Sequence, residues 1–77
     1  MAKRDEEDLQ PADVRILRVL RLRRAEYPSL IASQTGLHFS LVDRHCKRLT
    51  RRGYVEPVSG EVLYRITSRG EQCLERL

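Results

Sequence analysis

Residues 28–52 read PSLIASQTGLHFSLVDRHCKRLTRR, and within them Ala32 is followed by Gly36 four positions on and by Val42 six positions later. Two helices that cross near a right angle through a short turn need a small residue at their contact, a glycine in the turn and a branched apolar residue on the second helix. Ala32, Gly36 and Val42 supply these in order, with Ile31 and Leu37 as apolar neighbours. Pro28 suits the first position of a short helix that runs to Thr35, and Gly36 stands where a left-handed residue ends it. A longer helix is predicted over residues 40–52, its core marked by Val42, Cys46 and Leu49 at i, i+4 and i+7 and its end by Gly53.

The flanking sequence extends this unit on both sides. Gln10-Pro11-Ala12-Asp13 opens a first helix, with Asp13 near the positive end of its dipole. On that helix Ile16, Val19 and Leu20 face inward, Leu17 lies at the margin, and Val14, Arg18, Arg21 and Leu22 form an outward stripe; the helix is predicted to end near Arg23 or Arg24, ahead of Pro28. Residues 54–58 and 61–66 are two β-rich runs joined by Ser59-Gly60, a tight hairpin signal, with Val62, Tyr64 and Ile66 alternating onto one face. Ser68 and Glu71 form a capping box for a last helix whose inner face is Cys73, Leu74 and Leu77. Residues 1–9 are polar and acidic and read as a flexible tail to one domain spanning 10–77. The fold class expected is α+β and mostly α: three helices, a two-stranded hairpin and a C-terminal helix.

With 77 residues, 40% apolar and 34% charged, the chain has room for one small core and hardly for a substrate cleft, which argues against an enzyme. No apolar run approaches the roughly 18 residues of a membrane-spanning helix, and the N-terminus lacks the pattern of a secretory signal, so a soluble cytoplasmic protein is expected, with no membrane partner. Cys46 and Cys73 are 27 positions apart without ligand-pair spacing, so no disulfide, metal or cofactor is expected. His45 and Cys46 point to different sides of a helix, and His38 has no base or acid partner for nucleophilic chemistry.

The net charge of +4 is unevenly placed. Residues 1–13 sum to −3 and residues 54–77 to −1, whereas residues 14–53 hold nine arginines and Lys47 against Glu26 and Asp43, a net of +8. That concentration fits a polyanion, chiefly nucleic acid. With Val42 set at zero on a helical projection, Ser40, Arg44, Lys47 and Arg51 fall between about 140° and 200°, opposite the core. Leu41 and Arg48 flank this stripe on one side and Asp43 on the other, while His38 and Phe39 sit in the preceding turn. Arginine can donate twice to a guanine edge, and lysine or serine suits phosphate as readily as base. Arg65, the only basic residue of the hairpin, is a further phosphate-contact candidate.

Three stretches, LQPADVRIL, PSLIASQTGLHFSLVDRHCKRLTRRGYVEP and YRITSRGEQCLERL, together resemble the winged helix-turn-helix transcriptional regulators of prokaryotes, including MarR-type, ArsR-type and small archaeal or phage-repressor-like members. The resemblance implies double-stranded DNA as partner, residues 40–52 as the recognition helix and a homodimer, and the leading expectation is a sequence-specific repressor. Two features depart from that pattern. The hairpin tip is Ser59-Gly60-Glu61 where such wings often carry Arg or Lys, and the chain leaves no room for a separate effector domain, so no small-molecule effector is inferred. The alternative is a winged-helix protein-interaction module; RNA binding ranks third, since exposed aromatics are few.

Overall fold

The computed structural model describes residues 9–77. The chain runs α1 (Pro11–Arg23), β1 (Ala25–Glu26), α2 (Pro28–Thr35), α3 (Phe39–Arg51), β2 (Val55–Pro57), β3 (Tyr64–Ile66) and α4 (Ser68–Glu75). Apart from Leu9, which packs partly buried against the core, the tail predicted over residues 1–9 lies outside the described residues.

Helix α1 is the central element and packs on α2, α3, α4 and β3. Ile16, Leu17 and Leu20 are all fully buried, so Leu17 is a core residue and not a marginal one, while Val19 is only half-buried. Burial of each such side chain is worth about 1.5–3 kcal/mol, and three of them anchor the helix. Val14, expected to face outward, packs partly against the core; Arg18, Arg21 and Leu22 do face solvent.

Helices α2 and α3 follow the predicted turn closely. Gly36 ends α2 with φ +77°, a left-handed conformation that a side chain would strain, and its N–H donates to the Ala32 carbonyl. Helix α3 starts one residue earlier than predicted. His38 is its extended N-cap and Phe39 its first residue, because the Val42 N–H already reaches the His38 carbonyl at 3.0 Å.

The sheet has three antiparallel strands in the order β1-β3-β2, one more than the sequence predicts. Ala25 and Glu26 pair with Arg65 and Tyr64, and Val55, Glu56 and Pro57 pair with Ile66, Arg65 and Tyr64. Both wing strands are shorter than expected. The tip is a wider loop, closed by Val58 N–H donating to Leu63 C=O and by Glu61 N–H donating to Val58 C=O, so Val62 projects into solvent at 77% exposure instead of joining the core face.

The last helix is capped one residue upstream of the predicted box. The Thr67 hydroxyl accepts from Gly70 N–H at 3.1 Å and donates to the Gly53 carbonyl at 2.7 Å, tying the start of α4 to the end of α3. A Cβ on Gly70 would stand 2.2 Å from the Tyr54 carbonyl oxygen, so the close seat of α4 requires glycine there. Cys73 and Leu74 are buried as expected, but Leu77 lies beyond the helix and is 57% exposed.

Candidate nucleic-acid interface

The candidate surface is the outward face of α3, and its opposite face fixes how that surface is presented. Val42, Cys46 and Leu49 are fully buried beneath it. Ser40, Arg44, Lys47 and Arg51 are exposed together on the other side, and Leu41 and Asp43 flank them half-buried. His38 and Phe39 stand exposed at the start of the helix, Phe39 at 51%. One stripe therefore brings together eight of the ten residues singled out from the sequence.

Within the stripe, Lys47 Nζ lies 3.1 Å from Asp43 Oδ2 one turn earlier. Such an exposed i,i+4 pair contributes only about 0.3–0.5 kcal/mol, so phosphate can take Lys47 from Asp43 at little cost. The Asp43 carboxylate, adverse on a surface meant for a polyanion, is meanwhile partly neutralised.

The other two candidates point elsewhere. Arg48 is directed back toward α1, with Nε 3.5 Å from Asp13 Oδ2. Arg65 pairs across the sheet with Glu56 at 2.7 Å. Successive strand residues face opposite sides of a sheet. Tyr64 packs partly buried against the core, whereas the exposed Arg65 lies on the other side, in register with Ala25 and Glu56.

A buried polar cluster that the sequence reading passed over secures α3 to α1. Asp13 is fully buried and His45 nearly so; the imidazole Nδ1–H donates to Asp13 Oδ1 at 2.5 Å, and the Gln10 backbone N–H donates to Oδ2 at 2.9 Å. The carboxylate thus accepts from two donors and has the Arg48 cation alongside as a charge contact, the condition under which a buried charge is tolerated. The available signal was angular: on the projection with Val42 at zero, His45 falls at about 300°, beside Leu49, inside the core arc.

At the wing tip, Glu61 is engaged with the start of α2, since the Tyr27 hydroxyl donates to its Oε1 at 3.2 Å. That hydrogen bond and the adjacent negative charge raise the Tyr27 phenol above its ordinary value. Burial, reinforced by Asp43 and Asp13, pushes the Cys46 thiol up to about 12, which leaves it a neutral packing group. Tyr54 is buried and Tyr64 half-buried, the latter on the core face as the strand periodicity predicts, and the Arg69 guanidinium sits 5.3 Å from the centre of the Tyr54 ring. Among the described residues no three His, Cys, Asp or Glu side chains are grouped to hold a metal ion, and no helix is long and apolar enough to cross a membrane.

No protein-family model and no curated protein sequence matches the chain. Solved structures do match it. Sco5413, a MarR family transcriptional regulator from Streptomyces coelicolor, superposes with a TM-score of 0.81 at 26% identity, over 88% of this chain and 50% of that one. A cysteine-to-serine mutant of MarR from E. coli, complexed with operator DNA, gives 0.77 at 21% identity over 91% of this chain and 54% of that one. The PcaV transcriptional regulator from Streptomyces coelicolor, in complex with its natural ligand, gives 0.83 at 22% identity over 92% and 54%. The chain thus spans about half the length of these structures, and the winged helix-turn-helix fold expected from its sequence is the fold it shares with them.

Proposed function

We propose that this chain, built on the winged helix-turn-helix fold of MarR-type regulators, is a sequence-specific double-stranded DNA-binding regulator that lays α3 in the major groove. The observation that carries the proposal is the exposed stripe Ser40, Arg44, Lys47 and Arg51, backed by a fully buried opposite face. A single helix offers few base contacts, so the active form is a homodimer on two half-sites, and occupation of the operator makes it a repressor in the cytoplasm. The MarR mutant solved with operator DNA supports this reading. PcaV is solved with its natural ligand, which weighs against treating the chain as free of effectors.

Arg44 lies about one turn into α3 and reads a base edge; Arg51, two turns further on, meets the phosphate backbone. Selection from random duplexes supplies the preferred site, and fluorescence anisotropy over a salt series then separates the two roles. Arg44→Ala is expected to cost about 1–3 kcal/mol on that site and to relax preference at one base pair. Arg51→Ala is expected to weaken all duplexes alike and to flatten the slope of log K against log salt by about 0.9.

A second reading, docking onto an acidic protein surface, is favoured by the wing, where Glu61 occupies the tip and Arg65 is held by Glu56. Unchanged duplex binding after removal of both Arg44 and Arg51 would replace the first reading with this one.

A further inference from the structure

Behind the wing the fold encloses a second basic surface that shares no residue with the α3 stripe. A half-open groove of about 630 Å³ runs between the end of α1, β1, the wing and α4. Val58, Leu63 and Ile66 give it an apolar floor, Arg21, Arg24 and Arg65 supply guanidinium groups, and Glu71 is its one carboxylate. Arg65 is held by Glu56, but no described carboxylate pairs with Arg21 or Arg24.

The backbone at Arg24 adds an independent observation. Arg24 is the only non-glycine among the described residues with positive φ, at φ 76° and ψ −48°, close to a strained γ-turn conformation. Glycine adopts such a geometry without strain, yet this position carries a long cation that lines the groove. Strained residues of this kind persist where the surroundings over-determine them, commonly at binding sites.

We propose that this groove docks a short acidic peptide segment of a protein partner, with a carboxylate on Arg21 and Arg24 and an apolar side chain on Val58, Leu63 and Ile66. Charge complementarity selects an acidic occupant, and the open side selects a peptide. Sites for small molecules enclose most of the ligand's surface, whereas an extended segment can lie in a half-open groove and continue beyond it. Because the groove and the α3 stripe have no residue in common, the proposal stands or falls independently of DNA binding.

The test uses the full chain labelled with ¹⁵N and a synthetic peptide in which Asp and Glu flank a Leu-Phe pair, with a Lys-substituted peptide as control. The acidic peptide is expected to move the amide signals of Arg24, Ala25, Leu63 and Ile66 with a Kd on the order of 100 μM, and the control to leave them in place. Arg24→Gly removes the cation while relieving the backbone, so it is expected to weaken the peptide about tenfold without lowering the melting temperature. Duplex DNA affinity is expected to change less than about threefold, since one charge outside the interface is screened.

Peptide binding unchanged by Arg24→Gly, no groove shifts at about 1 mM peptide, or shifts centred on α3 would each overturn the proposal. Benzoate alone shifting the same amides as strongly as the peptide would assign the groove to a small anion instead.

Discussion

Asp13→Ala is expected to cost the domain about 3–5 kcal/mol, the range for removing one partner of a buried ion pair. The magnitude follows from what the carboxylate holds. Its loss strands the His45 Nδ1–H and the Gln10 backbone N–H, which lie 2.5 and 2.9 Å from its oxygens, and removes the charge that faces the Arg48 Nε at 3.5 Å. Arg48 can swing toward water, being about a quarter exposed, but His45 cannot. A domain of this size has roughly 4–11 kcal/mol of stability in all, so the variant should lose at least about 12 °C of melting temperature. Asp13→Asn keeps one acceptor oxygen but no charge, and an intermediate cost of about 1–3 kcal/mol is expected. Urea unfolding of both variants, of His45→Ala and of the Asp13→Ala/His45→Ala double variant gives the costs and the coupling. The two sites touch, so a coupling above about 0.5 kcal/mol is expected. A cost below about 1 kcal/mol for Asp13→Ala, with no coupling to His45, would refute the claim that this cluster fastens α3 to α1.

Gly70→Ala should destabilise by at least about 2 kcal/mol, although alanine is the better helix former, because the new methyl meets the Tyr54 carbonyl oxygen; thermal unfolding checks the sign. Cys46, with its thiol pushed up to about 12, should resist a thiol reagent in the folded protein at pH ~8 and react once urea exposes it, as colorimetric thiol assay would show. The Tyr27 phenol is raised above 10.0 chiefly by its hydrogen bond to Glu61, so the stability that this bond contributes is fully present below pH 10.0 and is lost as pH rises through the folded-state value. Ultraviolet titration should find Tyr27 ionising late together with the partly buried Tyr64, and Glu61→Gln should bring the Tyr27 component alone back toward the ordinary range.

Elements whose ends are set by local chemistry were legible in the sequence. Pro28 and Gly36 bound α2 at the residues predicted, since a fixed φ and a left-handed terminus need no tertiary partner. Strand β1 was not legible. Two residues carry no periodicity, and Ala25-Glu26 becomes a strand only because the positive φ of Arg24 turns the chain onto β3. The cap of α4 illustrates competition between two adequate local signals. Thr67 and Ser68 can both cap, and Thr67 is selected by the Gly53 carbonyl and by the tight seat of Gly70, both fixed by the packing of α4.

The same distinction applies to the candidate surface. Periodicity alone assigns each α3 residue to a face, which is why the exposure of Ser40, Arg44, Lys47 and Arg51 follows from the positions of Val42, Cys46 and Leu49. It cannot name the partner of a polar group. Asp13 reads locally as a carboxylate suited to the first turn of α1, and Arg48 reads as one more cation beside the stripe. Only the packing of α1 on α3 brings the two together, 35 positions apart in sequence. A buried carboxylate must collect donors, and here it takes them from the inner flank of α3. The helix is thereby fixed in rotation by directional polar contacts in addition to apolar packing. For a surface proposed to read base edges, that constraint matters, because rotating α3 by one residue would carry Arg44 about 100° around the helix and out of the groove.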